Sequence, residues 1–277
     1  MISGLSVVVS WQVVQSPLKF LTFKSMALLP SWLQGSPRCP ANPEEKGLVE
    51  HGFQVIGAHL GAELLRNATV VEPTPTFFPD PWDGTPTAAL ALFARVCRFM
   101  QVEPDSVHVS FWRKEEESPE VKLPGIISGQ TESRGAAGTY SRVDGVDEIR
   151  LNAADLKDPE GLIATIAHEL AHVLLLSRSG MSRDEPHMEA LTDLATIYLG
   201  FGIFTSNTLL RSKNWTDGNV QGWRVQRKGY ISPEMAGWAL SLFAWQRQEL
   251  NPKWARHLAT DGKAYLKMGL RYLQRTA

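Results

Sequence analysis

One helical segment constrains this chain more than any other. Over residues 158–177 the sequence is apolar almost all the way round a helix, through Leu162, Ile163, Ile166, Ala167, Leu170, Val173, Leu174 and Leu175. A helix that is apolar on every side is a buried helix, so the rest of the fold has to wrap around it. Yet this segment also carries His168, Glu169 and His172. Burying two imidazoles and a carboxyl is costly unless something compensates. The spacing names the compensation, because His-Glu-Leu-Ala-His is an H-E-x-x-H pattern. Residues four apart on a helix lie about 40° apart around its axis, so both imidazoles leave from one face. Two neutral imidazole nitrogens placed that way can hold a divalent ion such as zinc at about 2.0–2.1 Å each. Glu169 sits beside such an ion rather than on it, where it can take a proton from water.

A catalytic zinc keeps three protein ligands and one open position, so a third ligand is required. Gly and His three and six residues after the second motif His would supply one form of site, but Leu175 and Arg178 stand there. The next helical stretch begins near Asp184 to Pro186 and carries Glu189-Ala190-Leu191-Thr192-Asp193. Glu189 and Asp193 are again four apart and share a face. Glu189 is the expected third ligand. Asp193 is expected to accept the free N–H of a ligand imidazole, which fixes its tautomer and raises its basicity. The alternatives for the third position are His187, Asp184 and Asp193 itself. His187 precedes Glu189 by two residues, roughly 200° around the helix, and reads as a surface or substrate-side residue.

H-E-x-x-H followed by E-x-x-x-D on the next helix resembles the gluzincin branch of the zincin metallopeptidases, the thermolysin-like arrangement. The resemblance covers residues 165–195. It implies zinc held by His168, His172 and Glu189, one ion per chain, with Glu169 as general base and Asp193 behind a ligand imidazole. The connection from His172 to Glu189 is shorter than in the large thermolysin-like enzymes, and no Gly-x-Met-x-Asn exopeptidase signature precedes the motif. The whole chain is also similar to bacterial proteins without an assigned activity that carry His-Glu-Leu-Ala-His-Val followed by Thr-Asp-Leu. The implied activity is hydrolysis of a peptide or protein substrate. The alternative is a catalytically inactive zincin-fold scaffold, although a purely structural site has no use for a base at Glu169. A zincin also needs a donor for the oxyanion that forms at the attacked carbonyl. Tyr230, Arg224, His257 and Tyr140 are the candidates, and the strand of Tyr140 is a candidate edge for an extended peptide to join.

Four helix starts share one signature, a capping residue followed by Pro at the first helical position. Asn42-Pro43 opens a helix expected to run to residue 65, with Glu45 placed for a capping box. Thr85-Pro86 opens one to residue 100, with Leu90, Phe93, Cys97 and Met100 expected on its apolar face. Asp158-Pro159 opens the motif helix, and Ser232-Pro233 opens one to residue 248. Alternation at Val107, Val109 and Phe111 predicts a strand. Residues 138–143 and 148–152 flank Asp144-Gly145 and predict a hairpin. Residues 72–86, 122–125 and 124–138 read as connectors and loop. The expected fold class is therefore α+β and zincin-like: a small sheet before the motif helix and a mostly helical C-terminal half.

Composition excludes several other classes. Lys+Arg number 28 against 29 Asp+Glu, a net charge of −1, which argues against a nucleic-acid partner. Two cysteines, Cys39 and Cys97, make neither a disulfide framework nor a four-cysteine zinc site. Cys97 reads as a core residue and residues 115–117 as a solvated acidic run. No run reaches the roughly 18 consecutive apolar residues of a membrane span. Residues 5–14 are apolar but lack a preceding basic residue and a following cleavage site, so they do not read as a signal peptide, and a cytoplasmic protein is expected over a secreted one. Residues 1–40 are expected to be a poorly ordered extension, or one produced by a start placed ahead of Met26. A single metallohydrolase domain is then expected over residues 41–277.

Overall fold

A computed structural model describes residues 38–113, 137–213 and 230–276. The expectations for residues 1–25, 115–117 and 122–125, for most of the 124–138 loop, and for Arg224 lie outside the described residues. All four capping-residue–proline pairs open helices: α1 (Pro43–Leu60), α3 (Pro86–Phe99), α4 (Pro159–His172) and α7 (Pro233–Gln246), with α2 (Ala62–Asn67) between the first two. In each of the four, the capping side chain accepts a backbone N–H from the first turn. At α1 the capping box is complete, since Glu45 Oε2 also accepts from the Asn42 backbone N–H at 3.2 Å. The other Glu45 oxygen accepts from Ser232 Oγ at 2.8 Å, and Ser232 is itself the cap of α7. One carboxylate therefore ties together the starts of two helices far apart in the sequence.

The expected first helix is two. Gly61, at φ 91°, ends α1 and leaves α2 as a separate turn. On α3 the buried residues are Ala89, Leu92, Phe93, Val96 and Cys97, while Leu90 is 46% exposed. Phe93, Cys97 and Met100 of the expected face are buried; Leu90 alone departs from it, and the buried stripe widens instead to Ala89, Leu92 and Val96. Both cysteines are free thiols and Cys97 is buried.

Three strands form the sheet: β1 (Val107–Trp112), β2 (Gly138–Val143) and β3 (Val146–Asn152), in the order β1-β3-β2. β2 and β3 are an antiparallel hairpin joined by Asp144 and Gly145, at φ 50° and 84°, the left-handed pair that a two-residue turn with the right strand twist needs. β3 begins at Val146, earlier than the expected residue 148. β1 pairs with β3 in parallel, so β3 is central.

The motif helix α4 is the centre of the molecule. It packs against α3, β2, α5 (Met188–Thr196) and α6 (Gly202–Lys213), and Leu162, Ile166, Ala167, Leu170 and Ala171 are fully buried. Its α-helical winding ends at His172 and the chain continues as a π-helix over Val173–Arg178, so the regular helix is shorter than expected. A second π-wound stretch, Ile197–Phe201, joins α5 to α6. By length and mean hydropathy of 1.2, Pro159–Arg178 passes as a membrane span, but 61% of its apolar window is buried against the other elements. Helices α7 and α8 (Thr260–Thr276) pack on each other and close the C-terminal end. The molecule is thus α+β, with a small sheet and a mostly helical remainder.

Candidate metal centre

Helices α4 and α5 bring His168, His172 and Glu189 together. Glu189 Oε2 lies 3.2 Å from His168 Nε2 and 3.4 Å from His172 Nε2. Ligands at 2.0–2.1 Å from a tetrahedral ion are themselves about 3.4 Å apart, so these separations suit three ligands of one ion. One ligand atom from each of the three residues falls within 4.8 Å of the others, and the group can hold a metal ion.

The remaining imidazole nitrogens are tied down. His168 Nδ1 donates to Asp193 Oδ1 at 2.8 Å. A carboxylate only accepts, so this bond fixes the proton on Nδ1 and turns Nε2 toward Glu189. Asp193 is held in turn, because Oδ2 accepts the Tyr230 backbone N–H at 2.6 Å. His172 Nδ1 lies 3.3 Å from Thr192 Oγ1. The Thr192 hydroxyl donates to the Met188 carbonyl at 2.8 Å, which leaves its oxygen to accept from His172. Glu189, Thr192 and Asp193 occupy positions i, i+3 and i+4 of α5 and so face α4 together. Thr192 was missed in the sequence; its signal is that i+3 spacing between two acids already assigned.

Each imidazole also has a tyrosine ring over it. Tyr140 of β2 stacks on His172 at 5.9 Å between centroids and 9° between planes. Tyr230 lies over His168 at 6.0 Å and 23°. The Tyr140 hydroxyl donates to the buried Asp147 at 2.9 Å, and burial with that bond pushes its pKa up to about 12. That hydroxyl is therefore committed away from the metal cluster. The Tyr230 hydroxyl has no hydrogen-bond partner among the described residues. Burial and the surrounding carboxylates raise its pKa, so it is a neutral donor at pH 7. His257 bonds Glu72 at 2.8 Å and is no part of this cluster. Of the four sequence candidates for an oxyanion donor, the described residues leave Tyr230 beside the site with its hydroxyl unused. The other candidates for a third ligand fall elsewhere. His187, at φ 63°, precedes the first turn of α5 and is exposed, and Asp184 is exposed on the loop before it.

Electrostatics divide the carboxyls by role. Burial would raise the pKa of Glu189, but the two imidazoles beside it outweigh burial and hold the carboxyl well below the usual range. Glu169 is 5% exposed and hydrogen-bonds neither imidazole, and burial pushes its carboxyl up to about 7. Burial works against a charged His168, but its bonds to Asp193 and Glu189 win and raise its pKa well above 6.5. For His172 burial dominates and lowers it.

Gly138, the first residue of β2, lets the strand lie on α4 at this point. A Cβ there would stand 2.7 Å from Thr165 Cγ2 and 2.9 Å from Glu169 Oε1. The strand backbone thus covers the Glu169 carboxyl directly, which accounts for its burial.

Comparison of the chain with protein-family models, with curated proteins and with solved structures finds no match in any of the three.

Proposed function

We propose that the protein is a zinc-dependent peptidase of the zincin type, with one zinc held by His168, His172 and Glu189. The observation that carries this reading is Glu169: a carboxyl buried under β2 and set beside a His-His-Glu cluster without belonging to it. A structural metal site closes its fourth position with a protein ligand and needs no such group. The donor set of two imidazoles and one carboxylate is that of a catalytic zinc. When bound, zinc lowers the pKa of a water to about 7 and polarises a carbonyl oxygen.

The chain's own residues supply the rest. Glu169 takes the proton of the attacking water and returns it to the leaving amine, a task that suits a carboxyl enclosed beside the metal cluster and bound to none of its members. Asp193 and Thr192 hold the two imidazoles with Nε2 presented. The Tyr230 hydroxyl donates to the carbonyl oxygen as negative charge develops on it. Among the described residues β2 pairs on one side only, with β3. Its outer edge, which starts over Glu169, suits a substrate chain that joins in extended form.

Glu169→Gln tests this reading. The amide keeps the shape of the side chain but cannot accept a proton. Zinc content and folding stay near wild type while peptide turnover falls by about 10²–10⁴-fold. Turnover unchanged in Glu169→Gln, or none by zinc-loaded wild type on a mixed peptide library, would reject a peptidase.

A further inference from the structure

We propose that Arg183 receives a carboxylate of the substrate, so that the peptide cleaved carries a negative charge near the scissile bond. This rests on the peptidase reading and adds a substrate class to it.

Arg183 lies on the exposed loop between the π-helical end of α4 and the start of α5. Its guanidinium carbon sits 5.5 Å from the centroid of the Tyr140 ring. That ring is the one stacked on His172. A guanidinium laid on an aromatic face is held in place while its fork of N–H donors stays free, and that fork matches a carboxylate in two parallel bonds. Two ring contacts, of 5.5 and 5.9 Å, separate the charge from the His172 ring, so it lies within about three residues of extended peptide at 3.3–3.4 Å each.

The neighbouring arginines show what an internally satisfied charge looks like here. Arg178 and Arg142 both reach the buried Asp147, at 3.6 and 3.9 Å, and Arg178 also donates to Ser106. Asp147 further accepts from Tyr140 and from Ser177, at 2.9 Å each, so its capacity is used. Arg183 forms no ion pair with a described residue, and neither do Asp184 and Glu185 beside it on the loop. The positive charges of Arg142 and Arg183 both act on the Tyr140 hydroxyl. Arg183 is therefore the guanidinium at this end of β2 that is left without an acidic partner among the described residues, held against the Tyr140 ring beside the metal cluster. An acidic side chain and a free C-terminal carboxylate offer it the same chemistry.

The experiment uses matched peptides in which Asp or Asn is moved one position at a time across a cleaved sequence, each made with a free and an amidated C-terminus. Cleavage is measured for zinc-loaded wild type, Arg183→Met, Arg183→Lys and Arg183→Glu. Binding is measured by fluorescence anisotropy with the same four residues at position 183 in the Glu169→Gln background. Wild type should favour Asp over Asn about tenfold at one position within three residues of the cut, in cleavage and in binding alike. A preference that instead follows the free C-terminus identifies the α-carboxylate as the source and equally supports the proposal. Arg183→Met should erase the preference, Arg183→Lys should restore part of it, and Arg183→Glu should turn it toward Lys-containing peptides. Wild type that cleaves without charge preference, or a preference that survives Arg183→Met, overturns the role of Arg183 and leaves the peptidase standing. Failure of wild type to cleave any member of the set overturns both.

Discussion

Both ligand imidazoles present Nε2 to Glu189, but the bonds behind them differ in kind. His168 is backed by a carboxylate at 2.8 Å, His172 by a hydroxyl at 3.3 Å. Charge-assisted bonds are roughly twice as strong as neutral ones. Asp193→Asn should therefore weaken zinc binding about 10- to 100-fold, and Thr192→Val only about threefold to tenfold. Competition against a chelator of known affinity measures both, and equal losses would show that the two imidazoles are not oriented in the way described. The meeting of these side chains was readable in the sequence, because i, i+4 spacing on two successive helices leaves few ways to arrange His168, His172, Glu189 and Asp193. Thr192 was missed, although it stands on the same face of α5. The hold on Asp193 by the Tyr230 backbone was not, since 37 residues separate the two and a main-chain donor has no sequence signature.

Helix starts were legible at all four positions, and the ends of α3 and α7 fall within two residues of expectation, while the end of α1 and the winding after His172 do not. A capping side chain and a proline at the next position act locally, through one orphan N–H and one fixed φ, so Asn42, Thr85, Asp158 and Ser232 announce their helices without help from the rest of the chain. Ends depend on what packs nearby. The division at Gly61 has a local mark, a glycine free to adopt a positive φ, whereas the π-winding after His172 carries none. The hairpin turn was visible in Asp144-Gly145, but the parallel pairing of β1 with β3 is a long-range choice and was not. The closest fit between elements is that of β2 on α4 at Gly138. Gly138→Ala would press a methyl against Thr165 and Glu169, and neither can retreat easily, since Thr165 is branched at Cβ and Glu169 is enclosed. The substitution should cost about 1–3 kcal/mol in chemical denaturation, and under the proposed peptidase function turnover should fall as the strand lifts from Glu169. A variant with wild-type stability and turnover would mean that the strand does not bear on Glu169.

At the scale of the whole molecule, one helix serves as core and carries two of the three residues of the candidate metal centre. The apolar faces of α4 are covered by α3, α5, α6 and β2, while the stripe through Thr165, His168 and His172 is left toward the β2 edge and α5. This arrangement follows from the feature that dominates the sequence: a segment too apolar to be exposed that carries residues too polar to be buried alone. An ion bound only by the folded state adds to its stability by mass action, about 2.7 kcal/mol at a free concentration a hundred times the dissociation constant. Zinc titration of metal-stripped protein, followed together by chelator competition and thermal unfolding, tests the metal centre most directly. Wild type should take up one equivalent per chain and unfold at a higher temperature, and His168→Ala, His172→Ala and Glu189→Ala should each lose the tight equivalent and the shift. Wild type that binds no zinc, or the three variants binding it as tightly as wild type, would contradict the assignment of His168, His172 and Glu189 as a metal centre.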